Sequence, residues 1–278
     1  MQSHPAHTLS HARTLLRSHG TWLALTGAGV SAPSGIPGYR DARGQWMRAC
    51  PMTHQAFLSG ATARRRYWSR SIAGWPLVRD AAPNAAHAGV AALQRAGHVA
   101  GVVTQNVDGL HERAGSAHVI DLHGRIDTVV CVDCGRRMSR DAMQALLLDA
   151  NTGFDGHADI APDGDAEADG AAESFVVPDC AACGGVLKPD VVFYGANVPS
   201  SRVELACAAL DACAGLLVAG SSLMTWSGYR FCLRAHAAGK PILAVNLGLT
   251  RADALLACKV EADCAHALPA LAASLGSR

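Results

Sequence analysis

The chain has almost no net charge and no long apolar run. Its 278 residues carry a formal net charge of +1, which is too little to indicate a nucleic-acid partner or an anionic membrane surface. No apolar stretch reaches the roughly 18 residues that a membrane-spanning helix needs, and none resembles the apolar segment of a secretion signal. We therefore expect a soluble cytoplasmic protein that binds neither nucleic acid nor membrane.

Four of the ten cysteines form two Cys-x-x-Cys pairs. Cys131 and Cys134 make one pair, Cys180 and Cys183 make the other, and a glycine adjoins each pair. Four thiolates in two such pairs close a tetrahedral Zn²⁺ site with no open position, which is typical of a structural metal. The alternative is that buried cysteines fall in pairs by chance. The other six are scattered singly in mostly apolar contexts, as expected for reduced thiols in a reducing compartment.

Short apolar runs alternate with helical patterns along much of the chain. Four such runs, each ending in small or polar residues, are 22–26, 98–104, 215–219 and 241–245. This alternation predicts an α/β fold with a Rossmann-like, doubly wound parallel sheet. Ligands of such sheets bind outside the carboxyl ends of the strands, so we expect the segments that follow the runs to form one crevice. Those segments are 27–31, 105–108, 220–222 and 246–248.

The alternation stops in a central stretch that the cysteine pairs bracket. Its middle, 151–174, is rich in Asp, Gly and Ala and nearly lacks bulky apolar residues. Such a segment cannot bury a core of its own, which predicts a mobile acidic loop. A second irregular stretch, from residue 35 to about residue 80, is expected to pack against the zinc module. The predicted division is a Rossmann-like domain (1–124 and 193–278) and a zinc-binding small domain (125–192), joined by a lid and helical segment (35–80).

The pattern Gly27-x-Gly29-x-x-Ala32 follows the first run and fits a dinucleotide phosphate loop. The first glycine makes the turn, the second lets backbone approach a pyrophosphate, and the small third residue allows close helix packing. No acidic residue ends the second run, where a dehydrogenase would hold the ribose. Pro33 interrupts the helix, and the Gly- and Pro-rich stretch that leads to Arg40 is typical of a lid over the dinucleotide.

Several motifs follow one another along most of the chain. They are Gly27-Ala28-Gly29-Val30-Ser31, Ser34-Gly35-Ile36-Pro37 with Arg40, Thr104-Gln105-Asn106-Val107-Asp108, Leu122-His123-Gly124, the two cysteine pairs, 188–195 and Gly220-Ser221-Ser222. In this order they resemble the sirtuin (Sir2) family of NAD-dependent protein deacylases, from about residue 8 to residue 270. The segments 66–70, 74–76, 161–165 and 227–231 are most similar to class II, the branch that includes the mitochondrial lipoamidase and ADP-ribosyltransferase. Gly38-Tyr39 replaces the family's usual Asp-Phe before the lid arginine.

The resemblance implies an acyl-transferring enzyme with NAD as cosubstrate and acyl-lysine proteins or peptides as substrates. The acyl oxygen would attack the ribose anomeric carbon, nicotinamide would leave, and the amine and O-acyl-ADP-ribose would follow. His123 is the candidate base because an imidazole titrates near neutral pH; a structural histidine at a strand end is the alternative. Protein mono-ADP-ribosyl transfer, lipoamidase activity and a non-catalytic NAD sensor remain as other functions.

The resemblance also assigns contacts, with Asn106 joining His123 in catalysis and Asp108 facing nicotinamide. The residues assigned to NAD are Gly27, Ala28, Gly29, Ser31, Ile36, Pro37, Tyr39, Arg40, Gln105, Asn106, Val107, Asp108, Gly220, Ser221, Ser222, Asn246, Leu247, Gly248 and Cys264. Val191, Val192 and Phe193 would pair with the substrate peptide as an added strand. A simple turn at 106–108, a core thiol at Cys264 and an ordinary connecting strand at 191–193 are the alternatives.

Tyr67 and Arg70 lie three residues apart, which puts a phenol and a guanidinium on one helix face. Desuccinylase-type class II sirtuins use this spacing to grip acidic acyl chains, because a carboxylate accepts an Arg fork and a phenol hydroxyl. The pair therefore predicts substrate contacts. A solvated basic face is the alternative, since Arg64, Arg65 and Arg66 lie alongside.

Overall fold

The computed structural model describes residues 5–38, 41, 45, 47, 51–154, 159–160, 166–167 and 174–276. The helices are α1 (Pro5–Ser18), α2 (Ala28–Ser31), α3 (His54–Leu58), α4 (Ala61–Asp80), α5 (Ala85–Arg95), α6 (Leu110–Arg113), α7 (Arg140–Ala150), α8 (Ser200–Asp211), α9 (Trp226–Ala237) and α10 (Cys264–Leu275). The strands are β1 (Trp22–Thr26), β2 (Val99–Thr104), β3 (Val119–Asp121), β4 (Gly124–Cys131), β5 (Arg137–Ser139), β6 (Asp159–Ile160), β7 (Ala166–Glu167), β8 (Leu187–Val191), β9 (Gly215–Ala219), β10 (Ile242–Val245) and β11 (Cys258–Val260). Within these ranges, no helix is both long and apolar enough to cross a membrane.

Six strands form one parallel sheet in the order β11-β10-β9-β1-β2-β3. Every residue of β1 and β9 is buried, because helices cover both faces, and this explains why these runs are continuously apolar. From β1 the chain builds outward to β2 and β3, then returns to β9 on the other side. The order therefore reverses between β1 and β9, where such folds bind ligands. The predicted Rossmann-like parallel sheet is confirmed.

Two apolar layers fill the space between this sheet and its helices. One packs Trp22 of β1 with residues of α1, α5 and α10, and the other packs Leu25 with α8 and α9. Helices α5 and α10 touch closely, since a Cβ placed on Gly89 would lie 2.8 Å from Leu268. These layers hold the two central strands rigidly, so the loops at their carboxyl ends have fixed starting points.

A second, antiparallel sheet has the order β5-β4-β8 and carries the cysteine pairs. Its core joins Val129 of β4 with α4 and α7. The stretch 35–80, predicted to be a lid and helical segment, contains α4, a 20-residue helix with Pro76 in its interior. Burial of Trp68, Trp75 and their neighbours against this core outweighs the proline penalty of about 3 kcal/mol.

The acidic stretch contains two short strands in its described part. Asp159–Ile160 and Ala166–Glu167 pair antiparallel, and both contact α4. The residues 155–158, 161–165 and 168–173 lie outside the described residues, as does the class II-like segment 161–165. The domain division at residues 124 and 193 stays a prediction.

Candidate active site and metal centre

The glycines after β1 and β9 allow two loops to meet at the point where the sheet order reverses. The backbone N–H of Gly27 donates to Ala219 O at 3.1 Å, and that of Gly29 donates to Gly220 O at 2.8 Å. A Cβ on Gly27 would lie 2.8 Å from Ser221 Cβ, and one on Gly29 would lie 2.9 Å from the Cα of Gly220. Gly220 itself has φ of 59°. Larger residues would separate the loops.

A cavity of about 720 Å³ opens beside these loops. Of the residues predicted to bind NAD, its lining includes Gly27, Ala28, Gly29, Pro37, Gln105, Asn106, Gly220, Ser221, Ser222, Asn246, Leu247 and Cys264. Burial raises the pKa of the Cys264 thiol to about 12, and this neutral thiol donates to Val245 O at 3.3 Å. Gly248 is not part of the lining, and Tyr39 and Arg40 lie outside the described residues.

A second cavity of about 470 Å³ adjoins the first. Its lining includes the other predicted NAD residues, Ser31, Ile36, Val107 and Asp108, together with the predicted substrate residues Val191, Val192 and Phe193. His123 and Asn106 line both cavities. The predicted base therefore lies where the larger cavity meets the cavity beside the predicted peptide segment 191–193.

Both ring nitrogens of His123 have a partner. Nδ1 lies 2.8 Å from the carbonyl oxygen of Gln105, and Nε2 lies 2.8 Å from the hydroxyl of Ser227. Because a carbonyl only accepts, Nδ1 carries the proton of the neutral ring and Nε2 accepts from Ser227. Burial lowers the pKa of His123 to about 4, and Arg202 and Arg230 make smaller contributions in the same direction. The hydrogen bond to Gln105 raises this pKa but does not outweigh burial. The imidazole is neutral at physiological pH and can accept a proton at Nε2.

Gln105 ties the two central loops to each other. Its side-chain nitrogen donates to Thr26 O at 3.2 Å and to Ser221 Oγ at 2.8 Å, and its side-chain oxygen accepts from Thr225 Oγ1 at 3.2 Å. The same residue holds His123 through its backbone carbonyl. The orientation of the His123 ring is thus linked to the loops that line the larger cavity.

Asn106, Ser31 and Asp108 form a chain of hydrogen bonds along the wall of the smaller cavity. The Asn106 amide donates to Gly27 O at 3.0 Å and to Ser31 Oγ at 2.9 Å, and the Ser31 hydroxyl donates to Asp108 at 2.6 Å. The other Asp108 oxygen accepts from Leu110 N at 2.9 Å. These three polar side chains are therefore fixed before any ligand binds, as orientation of a reacting group requires.

Two buried histidines support this wall from behind. His87 Nε2 lies 3.4 Å from Ser31 Oγ, and His111 Nε2 lies 2.8 Å from Thr26 Oγ1. Burial lowers both pKa values, that of His111 to about 3, so both rings are neutral. The sequence alone gives no reason to select either residue, since neither follows a strand end.

The four paired cysteines meet at one point. The sulfur atoms of Cys131, Cys134, Cys180 and Cys183 all lie within 4.8 Å of one another. Cys131 and Cys183 are 3.5 Å apart and Cys134 and Cys180 are 3.8 Å apart, close to the spacing of about 3.8 Å that a tetrahedron with Zn–S bonds of about 2.3 Å requires. The donor set and its geometry fit one structural zinc ion, and the predicted ligand cluster is confirmed.

The charges of this cluster also suit a cation. A hydrogen bond from the backbone N–H of Cys134 is the main cause that lowers the pKa of Cys131 to about 7. A hydrogen bond with the Cys134 side chain is the main cause that raises the pKa of Cys183 to about 12. These hydrogen bonds favour one thiolate over another, and four unbound thiolates within 4.8 Å of one another would repel each other. A divalent cation removes this repulsion, so metal binding and folding of the module are coupled.

Tyr67 and Arg70 line neither of the two cavities that His123 borders. Tyr67 is 1% exposed, and its ring packs on Phe57 and Phe193 at centroid distances of 5.4 and 5.3 Å. Tyr67 therefore supports Phe193 from behind. The predicted contact of Tyr67 and Arg70 with an acyl chain stays a prediction.

Three functional candidates on or before α9 were missed by the sequence reading. Thr225, Ser227 and Arg230 all line the smaller cavity. They lie several residues beyond the end of β9, so the expectation that site residues directly follow a strand does not select them. The segment 227–231 indicates class II but no site residue. Helix α9 packs closely against Gln105, since a Cβ on Gly228 would lie 2.5 Å from the side-chain oxygen of Gln105. This packing brings the three residues into the cavity.

The fold and site define an α/β dinucleotide-binding protein with a zinc module. The Sir2 family model matches residues 27–227. An NAD-dependent protein deacetylase of Xanthomonas axonopodis pv. citri is 53% identical over 270 residues, which cover 96% of this chain and 92% of that protein. One of Bordetella bronchiseptica is 53% identical over 246 residues, covering 88% and 90%. The chain belongs to the Sir2 family.

Solved structures of the family share this architecture. A Sir2 protein solved with a p53 peptide and NAD⁺ has a TM-score of 0.74 at 28% identity, over 96% of each chain. Another, bound to an acetylated peptide, has a TM-score of 0.75 at 27% identity, over 96% of this chain and 98% of that one.

Proposed function

We propose that this protein is an NAD-dependent protein lysine deacylase, a deacetylase at least, that releases nicotinamide and O-acyl-ADP-ribose. The observation that carries the proposal is the neutral His123, which lines both cavities and has Nε2 as its proton-accepting nitrogen. The names of the relatives support NAD as the cosubstrate and acetylated protein as the substrate. NAD supplies the ribose carbon to which the acyl oxygen bonds as nicotinamide leaves.

The residues of the chain have separable roles in this proposal. The 720 Å³ cavity holds NAD, with Asn246 and Cys264 at its adenosine end and Asn106 near the nicotinamide ribose. Asp108, already aligned by Ser31, faces the nicotinamide carboxamide. His123 accepts a ribose hydroxyl proton at Nε2 after the Ser227 hydroxyl has been displaced.

The substrate peptide binds as an added strand along 191–193. In the described part of the chain β8 pairs with β4 alone, so it is an edge of the small sheet. The N–H of Val192 donates to His123 O at 2.8 Å, which fixes this segment against the base. Unpaired backbone groups at such an edge bind an extended peptide.

The proposal also includes the class of the enzyme and the role of its zinc ion. The segments 66–70, 74–76, 161–165 and 227–231 support a class II enzyme of the branch that includes the lipoamidase and ADP-ribosyltransferase. Zinc held by the four cysteines stabilises the small domain, residues 125–192, and takes no part in the reaction.

The test is mass spectrometry of reactions with NAD⁺ and peptides that carry acetyl-, succinyl-, glutaryl- or lipoyl-lysine. Free lysine peptide together with O-acyl-ADP-ribose is the expected result. A protein that gained the mass of ADP-ribose without deacylation would instead be a mono-ADP-ribosyltransferase. NAD⁺ binding without any product would leave the non-catalytic sensor and overturn the proposal.

A further inference from the structure

Arg230 is a cation inside the cavity that holds the predicted base and the peptide segment. It lies on α9, one turn after Ser227, and is half-buried. Its side chain lines the 470 Å³ cavity with His123 and Val192, and it is not part of the lining of the larger cavity. Arg230 therefore faces the substrate side of the site.

This guanidinium lacks a partner among the described residues. Its Nε atom is buried without a hydrogen bond, and Arg230 forms no ion pair within the described part of the chain. Nearby arginines differ, since Arg202 pairs with Asp190 at 3.4 Å and Arg234 pairs with Asp211. A partly desolvated cation without an anion is unfavourable unless a ligand supplies one.

The protein itself offers little negative charge in this cavity. Among the described lining residues, Asp108 is the one carboxylate, and it already accepts from Ser31 at 2.6 Å and from Leu110 N at 2.9 Å. Arg230 is close enough to His123 to contribute to its lowered pKa, after burial and Arg202. An anion bound here would lie beside the reacting groups.

We infer that Arg230 binds a carboxylate of the acyl-lysine substrate. The carboxylate comes either from a dicarboxylic acyl chain, such as succinyl or glutaryl, or from an acidic side chain next to the acylated lysine. A guanidinium suits both because its fork donates two parallel hydrogen bonds to one carboxylate. The inference rests on the proposed deacylase function and names a substrate class for it.

The geometry favours Arg230 over Arg70 for this role. Arg70 lines neither cavity at His123, whereas Arg230 lines the one that also contains 191–193. The spacing of Tyr67 and Arg70 predicts a carboxylate site on α4, whereas the cation that lines the cavity lies on α9.

The experiment measures kcat/KM with NAD⁺ for two matched pairs of peptides. The first pair carries glutaryl-lysine or the neutral pentanoyl-lysine, and the second carries acetyl-lysine next to Glu or Gln. Each is assayed with the wild type, Arg230→Gln, Arg230→Met and the control Arg234→Met, which removes a paired arginine one turn along the same helix. Circular dichroism identifies the variants that fold, and either Arg230 variant suffices.

We expect the acidic-to-neutral ratio of kcat/KM to fall at least 10-fold in the Arg230 variants and to stay unchanged in Arg234→Met. A fall in the first pair identifies the acyl carboxylate, and a fall in the second identifies the flanking side chain. An equal ratio in wild type and Arg230 variants for both pairs overturns the inference. Absence of NAD-dependent turnover of every peptide by the wild type would instead refute the proposed function.

Discussion

The hydroxyl oxygen of Ser227 lies 2.8 Å from Nε2 of His123. Since Nδ1 donates to the Gln105 carbonyl, this bond occupies the single nitrogen that can accept a proton. A hydrogen bond to the neutral ring disfavours the charged ring and so lowers its pKa. Ser227 thus occupies the proton-accepting nitrogen of a ring that burial already keeps neutral.

Replacing Ser227 with Ala should raise the pKa of His123 by less than about one unit, because one hydrogen bond to the neutral form contributes about 1 kcal/mol. NMR titration of labelled histidine side chains measures this shift, with the His123 signal assigned by its loss in His123→Ala. Ser274→Ala, whose hydroxyl bonds only its own helix at Leu271 O, is the matched control. An unchanged or lowered pKa would show that the hydroxyl does not act on Nε2.

His123→Ala should lose deacylation by about 10²-fold or more while NAD⁺ affinity stays nearly normal, because the change removes a base and leaves the phosphate loop intact. Nicotinamide exchange should survive better than full turnover, since exchange precedes the proton transfer. Steady-state kinetics and calorimetric binding of NAD⁺ check both points. Full turnover by this variant would remove His123 from the mechanism.

The pH dependence of kcat/KM should show no loss of activity around pH 6.5. Burial lowers the pKa of His123 to about 4, so the imidazole stays neutral as pH falls from 8 to 5 and is protonated only near the lowered value. An unperturbed histidine would lose its basic form near pH 6.5. Initial rates between pH 5 and 8 at low substrate test this, and a single ionisation near 6.5 would mean that the free enzyme's base is solvated.

Replacing any of Cys131, Cys134, Cys180 or Cys183 with Ala should release zinc and lower the melting temperature by roughly 10 °C or more, because a structural metal contributes folding free energy. Elemental analysis and thermal denaturation measure the two effects. Cys207→Ala, a half-buried thiol outside the cluster, is the control. Loss of zinc without loss of stability would contradict a structural role.

The sequence predicted those features that depend on local spacing. The turn after β1 and the four-cysteine cluster could be predicted, because turn conformation and ligand spacing are set within a few residues. A helical segment within 35–80 could be predicted, but not that the helix continues through Pro76, since its stability there comes from the burial of Trp68 and Trp75 against the small sheet. Ser227 and Arg230 were not recognised as site residues because only the packing of α9 brings them to His123.

Arg70→Met tests the remaining sequence prediction on acyl choice. If Tyr67 and Arg70 reach the acyl chain, activity on succinyl- or glutaryl-lysine should fall far more than on acetyl-lysine, because a carboxylate that loses its cation in a partly buried site is strongly destabilised. Since Tyr67 packs behind Phe193 and Arg70 lies outside both cavities, we expect similar effects on all acyl chains. Side-by-side kcat/KM values for the three peptides decide the point. A selective loss on the acidic chains would place the acyl carboxylate at α4 and leave an acidic side chain next to the lysine as the partner of Arg230.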